Sequence, residues 1–239
     1  MTEPLEPLEA TSASWVERAA DRSPSVQRSR TRSVKRAQQL VEAAKRLVLE
    51  KGSAFTTQEL VKEAGIAVQT FYKYFEGKDQ VLLAVFEELI SEACAGLETA
   101  ARELPDPVSR LRFYIRSIVL AINDRGDGGP RFITSEHWRL HQLYPAELAH
   151  ATGGFARLLL PEIRAAQETG ALRPANAEYD AWLIQQLVIS VFHHYEYASH
   201  PESAETIGDR LWDFCFAALG GRPDGAAPVS SRRSVRRRS

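Results

Sequence analysis

The chain has 239 residues, 44% of them hydrophobic and 26% charged, a balance that suits a protein burying a substantial core. Its net charge of -1 hides a segregation: residues 1–25 carry -3, 26–78 carry +6, 79–220 carry -9 and 221–239 carry +5, with every lysine in the second segment. No apolar run approaches the roughly 18 residues of a membrane span, "MTEPLEPLEA" is unlike a secretory leader, and Cys94 and Cys215 lack metal-ligand spacing, so a cytoplasmic protein with no membrane partner is expected.

The first 25 residues mix Pro, Ser, Thr and Glu without periodicity and are expected to be disordered, apart from a short turn over Trp15–Ala20. From Ser33 to Glu50, Ala37, Leu40, Val41, Ala44, Leu47 and Val48 recur at spacings of three and four, which predicts a helix ended by Gly52. In "TTQELVKEAG", Thr56 and Glu59 have the spacing of a capping box, so a second, short helix starts there and stops at Gly65. "VQTFYKYF" predicts a third, and Lys78 opens a fourth with Val81, Leu82, Val85, Phe86, Ile90 and Leu97 on one face.

Further helices are predicted over Pro107–Asn123, Pro130–Gln142, Tyr144–Gly170, Asn176–Tyr197 and Ala204–Leu219, the third of these open to a break at Thr152–Gly154. No strand pattern occurs, so the fold class is all-α. The last two helices are apolar over more than one face. The second face can deepen a monomer core or meet a second subunit, and the second reading is preferred.

A short helix, a glycine turn and another short helix make a helix-turn-helix, whose second helix can enter a major groove. The basic segment beside an acidic body points the same way, to nucleic acid. Phe71 and Phe75 share the inward face with Leu60, Ala64 and Ile66 and are read as core. Gln69, Thr70 and Lys73 point elsewhere: a Gln amide suits adenine, a Thr methyl suits thymine, and Lys suits guanine or phosphate. Tyr72 and Tyr74 bring hydroxyls for phosphate oxygens. Thr57, with Gln58 beside it, and Lys78 sit at helix starts, where free N–H groups favour an anion.

The run "TTQELVKEAGIAVQTFYKYFEGKDQVLLAVF", preceded by "VEAAKRLVLEKG", resembles the DNA-binding domain of the TetR family of bacterial transcriptional regulators over about residues 33–86. Two positions depart from the family pattern: Gln69 stands where Gly or Pro is frequent, and Gly77 where Ser or Asn often caps the fourth helix. The resemblance implies an all-helical homodimer whose last two helices form a four-helix bundle, with an effector cavity in the variable C-terminal part. It divides the chain into an N-terminal extension (1–25), a DNA-binding domain with a basic arm (26–78), an effector-binding and dimerisation domain (79–220) and a basic tail (221–239). Phe86, Phe113, Phe132, Trp138, Tyr144, Phe155, Leu159, Gln186, Ile189, Phe192 and His193 lie on helices expected near the cavity and suit an apolar or aromatic effector, though plain core is the competing account of most of them.

His137 and His141, four apart with Glu136 adjacent, and the pair His193–His194 raise the question of a metal, but no third ligand falls at a meaningful spacing, and none is assigned. "RSRTRSVKR" could reach a minor groove or grip phosphate, and "SRRSVRRRS" reads as a solvated tail. The partners expected are a double-stranded DNA operator, a small-molecule effector and a second copy of the chain. No cofactor is implied, and no nucleophile–base pair, paired carboxylates or phosphate loop marks an enzyme. The alternative to a ligand-responsive repressor is an architectural DNA-binding protein without an effector.

Overall fold

The computed structural model describes Trp15 and residues 22–121, 128–197 and 202–222. The expectations for the rest of the N-terminal extension and for the C-terminal arginine tail lie outside these residues. The described chain is all-α, and it contains no helix long and apolar enough to cross a membrane.

α1 (Pro24–Lys51) is followed by a short 3-10 turn (Gly52–Ala54), α2 (Thr57–Ala64), α3 (Val68–Phe71) and the long α4 (Lys78–Ala100). α5 (Pro107–Leu120), α6 (Gly128–Leu143), α7 (Pro145–Thr152), α8 (Gly154–Glu168), α9 (Ala177–Tyr197) and α10 (Ala204–Ala218) complete the body. The break at Thr152–Gly154 is real: Gly153 separates α7 from α8.

One boundary differs from expectation. "RSRTRSVKR" is no arm in front of the first helix, because α1 already begins at Pro24. Proline at the first helical position needs no N–H partner, and nothing between it and Leu40 breaks a helix. Helix propagates cheaply once a packed segment has nucleated it, here the buried Leu40, Ala43, Ala44, Leu47 and Val48. Apolar periodicity marks the part of a helix that packs, and the basic half of α1 packs on nothing.

Two apolar cores organise the molecule. The first joins α1, α2 and Phe71 of α3 to the N-terminal half of α4 and continues into α6 and α7 through Phe132, Leu140, Leu148 and Ala151. The second unites α5, α8, α9 and α10 around Leu111, Ile115, Leu159, Ile163, Val188 and Trp212. α4 spans both, with Val81–Phe86 in the first and Leu97 against the second. The core of the helix-turn-helix therefore runs on past residue 79. At Gly128, a Cβ would stand 2.7 Å from the Leu49 carbonyl oxygen, so the first turn of α6 closes directly on the end of α1.

Candidate nucleic-acid interface and the helical body behind it

The short α2 is held at both ends by local chemistry. The Glu59 N–H donates to Thr56 Oγ1 at 3.2 Å, and the Thr56 N–H donates to Glu59 Oε2 at 2.7 Å, a complete capping box. Lys51 Nζ reaches Glu59 Oε1 at 2.6 Å. These bonds, Lys51 first and Thr56 second, hold the Glu59 carboxyl down at about 2. At the other end Gly65 takes the left-handed conformation (φ 65°, ψ 33°), and the Ile66 N–H reaches back to the Val61 carbonyl at 3.0 Å.

α3 is a single α-helical turn that tightens. Beyond Phe71 the chain continues through Lys73 N–H to Thr70 O (3.2 Å) and Tyr74 N–H to Phe71 O (2.9 Å), i to i+3 bonds that carry it to Phe75. Phe71 is fully buried, with the Tyr72 ring edge-on at 5.0 Å and Phe75 at 6.1 Å. Burying one such ring stabilises by about 1.5–3 kcal/mol, enough to fix which way so short a helix faces.

With Phe71 as the anchor, Gln69, Tyr72 and Lys73 are exposed and Thr70 is half-buried, on the side of α3 away from the core. Thr57 and Gln58, half-buried and exposed, lie in the first turn of α2. Tyr74 is half-buried against the same core as Phe75, unlike Tyr72, which is 60% exposed. Lys78 is placed differently from the rest. Its Nζ donates to the carbonyls of Ser53 (2.7 Å) and Phe55 (3.1 Å) and lies 5.3 Å from the Phe55 ring centroid. Its ammonium is thus a clasp between the start of α4 and the turn before α2.

A polar chain that the sequence did not signal extends this clasp. Ser53 Oγ donates to Glu136 Oε1 on α6, Arg139 Nε donates to Glu136 Oε2 at 2.7 Å, and Arg139 Nη2 reaches Asp79 Oδ1 of α4 at 2.9 Å. Glu136 is buried, so its charge depends on these partners, and the two carboxylates hold the Arg139 guanidinium well above its ordinary pKa. Glu136 had been noticed only as a neighbour of His137.

The eleven residues expected near an effector cavity do not converge. Phe86, Phe132 and Tyr144 belong to the first core, whereas Phe113, Phe155 and Leu159 belong to the second. Trp138 is 64% exposed, and Gln186 is exposed as well. Phe192 is buried, Ile189 and His193 half-buried. His193 Nδ1 lies 2.9 Å from Thr134 Oγ1, and its ring is 4.7 Å from that of His137, which stacks on His141 at 6.2 Å. His137 Nδ1 and His193 Nε2 are buried without a hydrogen-bond partner. Among the described residues no three His, Cys, Asp or Glu side chains converge as metal ligands.

An open cleft of about 400 Å³ lies elsewhere, between α4 and α8, and none of the eleven lines it. Its walls include Ile90, Cys94 and Glu98 of α4, Arg157, Leu158 and Pro161 of α8, and Tyr114 from α5. The sequence signal for it is the diglycine Gly153–Gly154 at the start of α8, which had been read only as a helix break. Gln185, buried on α9, supports this start by accepting the Ala156 N–H at 2.8 Å.

Residues 40–85 match the family model for bacterial regulatory proteins, tetR family. The HTH-type transcriptional regulator EthR of Mycolicibacterium smegmatis is 35% identical over 88 residues, 36% of this chain and 39% of that protein. The chain thus spans about two fifths of the length of that relative. Among solved structures, Thermus thermophilus FadR, a TetR-family transcriptional repressor in complex with lauroyl-CoA, superposes with a TM-score of 0.63 at 18% identity, over 80% of this chain and 99% of that one. RolR in complex with resorcinol gives 0.62 at 17% identity, over 80% and 91%. At these identities the likeness is one of fold, and it extends well past the matched N-terminal segment.

Proposed function

The chain belongs to the TetR family of bacterial regulatory proteins, and from that premise we propose that it is a sequence-specific, DNA-binding transcriptional repressor released from a pseudo-palindromic operator by a small apolar or aromatic effector. The observation that carries the reading is α3: Phe71 is locked in the core, while Gln69, Tyr72 and Lys73 stand exposed beside it. That is the arrangement a reading helix needs, with base-edge and phosphate groups on the face opposite its anchor. In this reading residues 26–78 form the DNA-binding domain and 79–220 the effector and dimer domain, between the terminal extensions 1–25 and 221–239.

A homodimer through α9 and α10 completes the proposal. Tyr179, Trp182 and Leu183 of α9 and Phe214 of α10 are each between 44% and 65% exposed, an apolar surface that favours coverage by a second copy. A two-fold dimer would present two copies of α3 to half-sites one helical turn apart. FadR and RolR, with lauroyl-CoA and resorcinol bound, make a small-molecule effector the natural input. The effector must favour the arrangement in which the two reading helices are misplaced, since equal affinity for both arrangements shifts nothing.

The exposed basic half of α1, with Arg28, Arg30, Arg32 and Arg36, favours a second reading, an architectural DNA binder. Genomic footprinting followed by mobility-shift titration at physiological salt separates the two. A repressor binds its footprinted site far more tightly than random duplex. Equal binding to both would sink the repressor reading in favour of the architectural one.

A further inference from the structure

We propose that the cleft between α4 and α8 binds a small amphipathic carboxylic acid, its carboxylate on Arg157 and its apolar body along Ile90, Leu158 and Pro161. This names the chemistry of the effector proposed above and rests on that reading for its consequence at the operator.

The cation comes first. The Arg157 guanidinium lies over the diglycine: a Cβ at Gly153 would stand 2.8 Å from its Nη1, and one at Gly154 3.7 Å from its Nη2. The two glycines leave the room that the guanidinium fills. Arg110 and Arg164 on the same body are paired with Glu162 and Glu178, whereas Arg157 has no carboxylate within ion-pair distance among the described residues. Its charge is nonetheless felt inside the cleft, where it opposes the upward push of burial on the Cys94 thiol.

The second observation is independent. Tyr114 is only 2% exposed, lines the cleft, and has a hydroxyl with no hydrogen bond among the described residues. A buried ring that ends in an unpartnered hydroxyl at a cleft wall is a polar handle awaiting a ligand atom. Between these two groups the walls are apolar, and the volume falls within the usual range of small-molecule sites.

The sign of the ligand follows from which charges are already answered. Glu162 is held by Arg110 at 2.9 Å, and Glu87 lies 3.6 Å from His150. Glu98 is exposed to solvent at the rim. Arg157 is therefore the unanswered charge inside the cleft, and planar bidentate pairing makes a carboxylate its best partner. The carboxylates on the lining disfavour a polyanion, so a monoacid fits best.

Cys94 makes the site measurable without DNA. It lines the cleft and is partly accessible, whereas Cys215 is fully buried with its thiol pushed up to about 12, so iodoacetamide should report on Cys94. Octanoate should slow Cys94 alkylation saturably, and octylamine at the same concentration should not. Arg157→Gln should weaken octanoate by about tenfold or more, the loss of one charge-assisted contact, and Tyr114→Phe by less. Protection by octylamine equal to that by octanoate, protection that survives Arg157→Gln, or no protection at millimolar octanoate would each overturn the assignment. Because no operator enters the assay, a protein that binds octanoate but not DNA would refute the proposed function and leave this site standing, and the converse result would do the reverse.

Discussion

Ser53, in the turn between α1 and α2, donates its hydroxyl to the buried carboxylate of Glu136 on α6, 83 residues further along the chain. Glu136 in turn holds Arg139, and Arg139 holds Asp79 at the start of α4. The helix-turn-helix is thus bonded to the body through α6 as well as through the continuous helix α4. A movement of either helix is transmitted to the turn that carries α2.

Glu136→Ala should therefore destabilise the protein by about 1–3 kcal/mol, the penalty for leaving buried polar partners unanswered. Urea unfolding monitored by circular dichroism reads the loss. Unchanged stability would mean that this chain of bonds is dispensable to the fold.

Tyr72 and Lys78 are expected to part company as alanine variants. Tyr72→Ala removes an exposed side chain and should weaken operator binding at unchanged melting temperature. Lys78→Ala frees the carbonyls of Ser53 and Phe55 and should lower both operator affinity and melting temperature. Thermal melts beside mobility-shift titrations decide this, and a Lys78→Ala protein of full stability with weakened binding would make Lys78 a phosphate contact alone.

Gln69 and Lys73 should differ in what they report. If Gln69 reads a base edge, Gln69→Ala costs about 1–3 kcal/mol and relaxes preference at one base pair of each half-site. Lys73→Ala, removing a phosphate contact from each subunit, should weaken all sequences alike and make the salt dependence shallower. Titration of a base-substituted operator series at several salt concentrations separates the two effects.

The histidine cluster gives stability a pH dependence whose sign can be worked out. Burial first, and His137 second, lower His193 from 6.5 to about 4, and burial followed by His141 lowers His137. In the unfolded chain both protonate near 6.5, so as pH falls the unfolded state binds more protons than the folded one. Stability should decline from about pH 6.5 and level off below about pH 4. His193→Gln should flatten that decline in urea midpoints measured across the range, and an unaltered slope would assign it to other groups.

The sequence by itself determined the helical class, the helix-turn-helix and its inward anchor. Thr56 and Glu59, Gly65, and the spacing of Leu60 and Phe71 act within a few residues of one another, and cap chemistry and helical periodicity are local. The extent of α1 escaped because periodicity reports only the packed part of a helix. Tertiary structure alone decided the rest. It split Phe86 and Phe132 from Phe155 and Leu159, so that aromatics expected around one cavity serve two cores. It turned Lys78 onto two carbonyls, joined Ser53 to Glu136, and laid Arg157 over a diglycine beside Tyr114. Those relationships join elements distant in the chain, and they depend on how whole helices cross, a quantity that no single helix's sequence pattern contains.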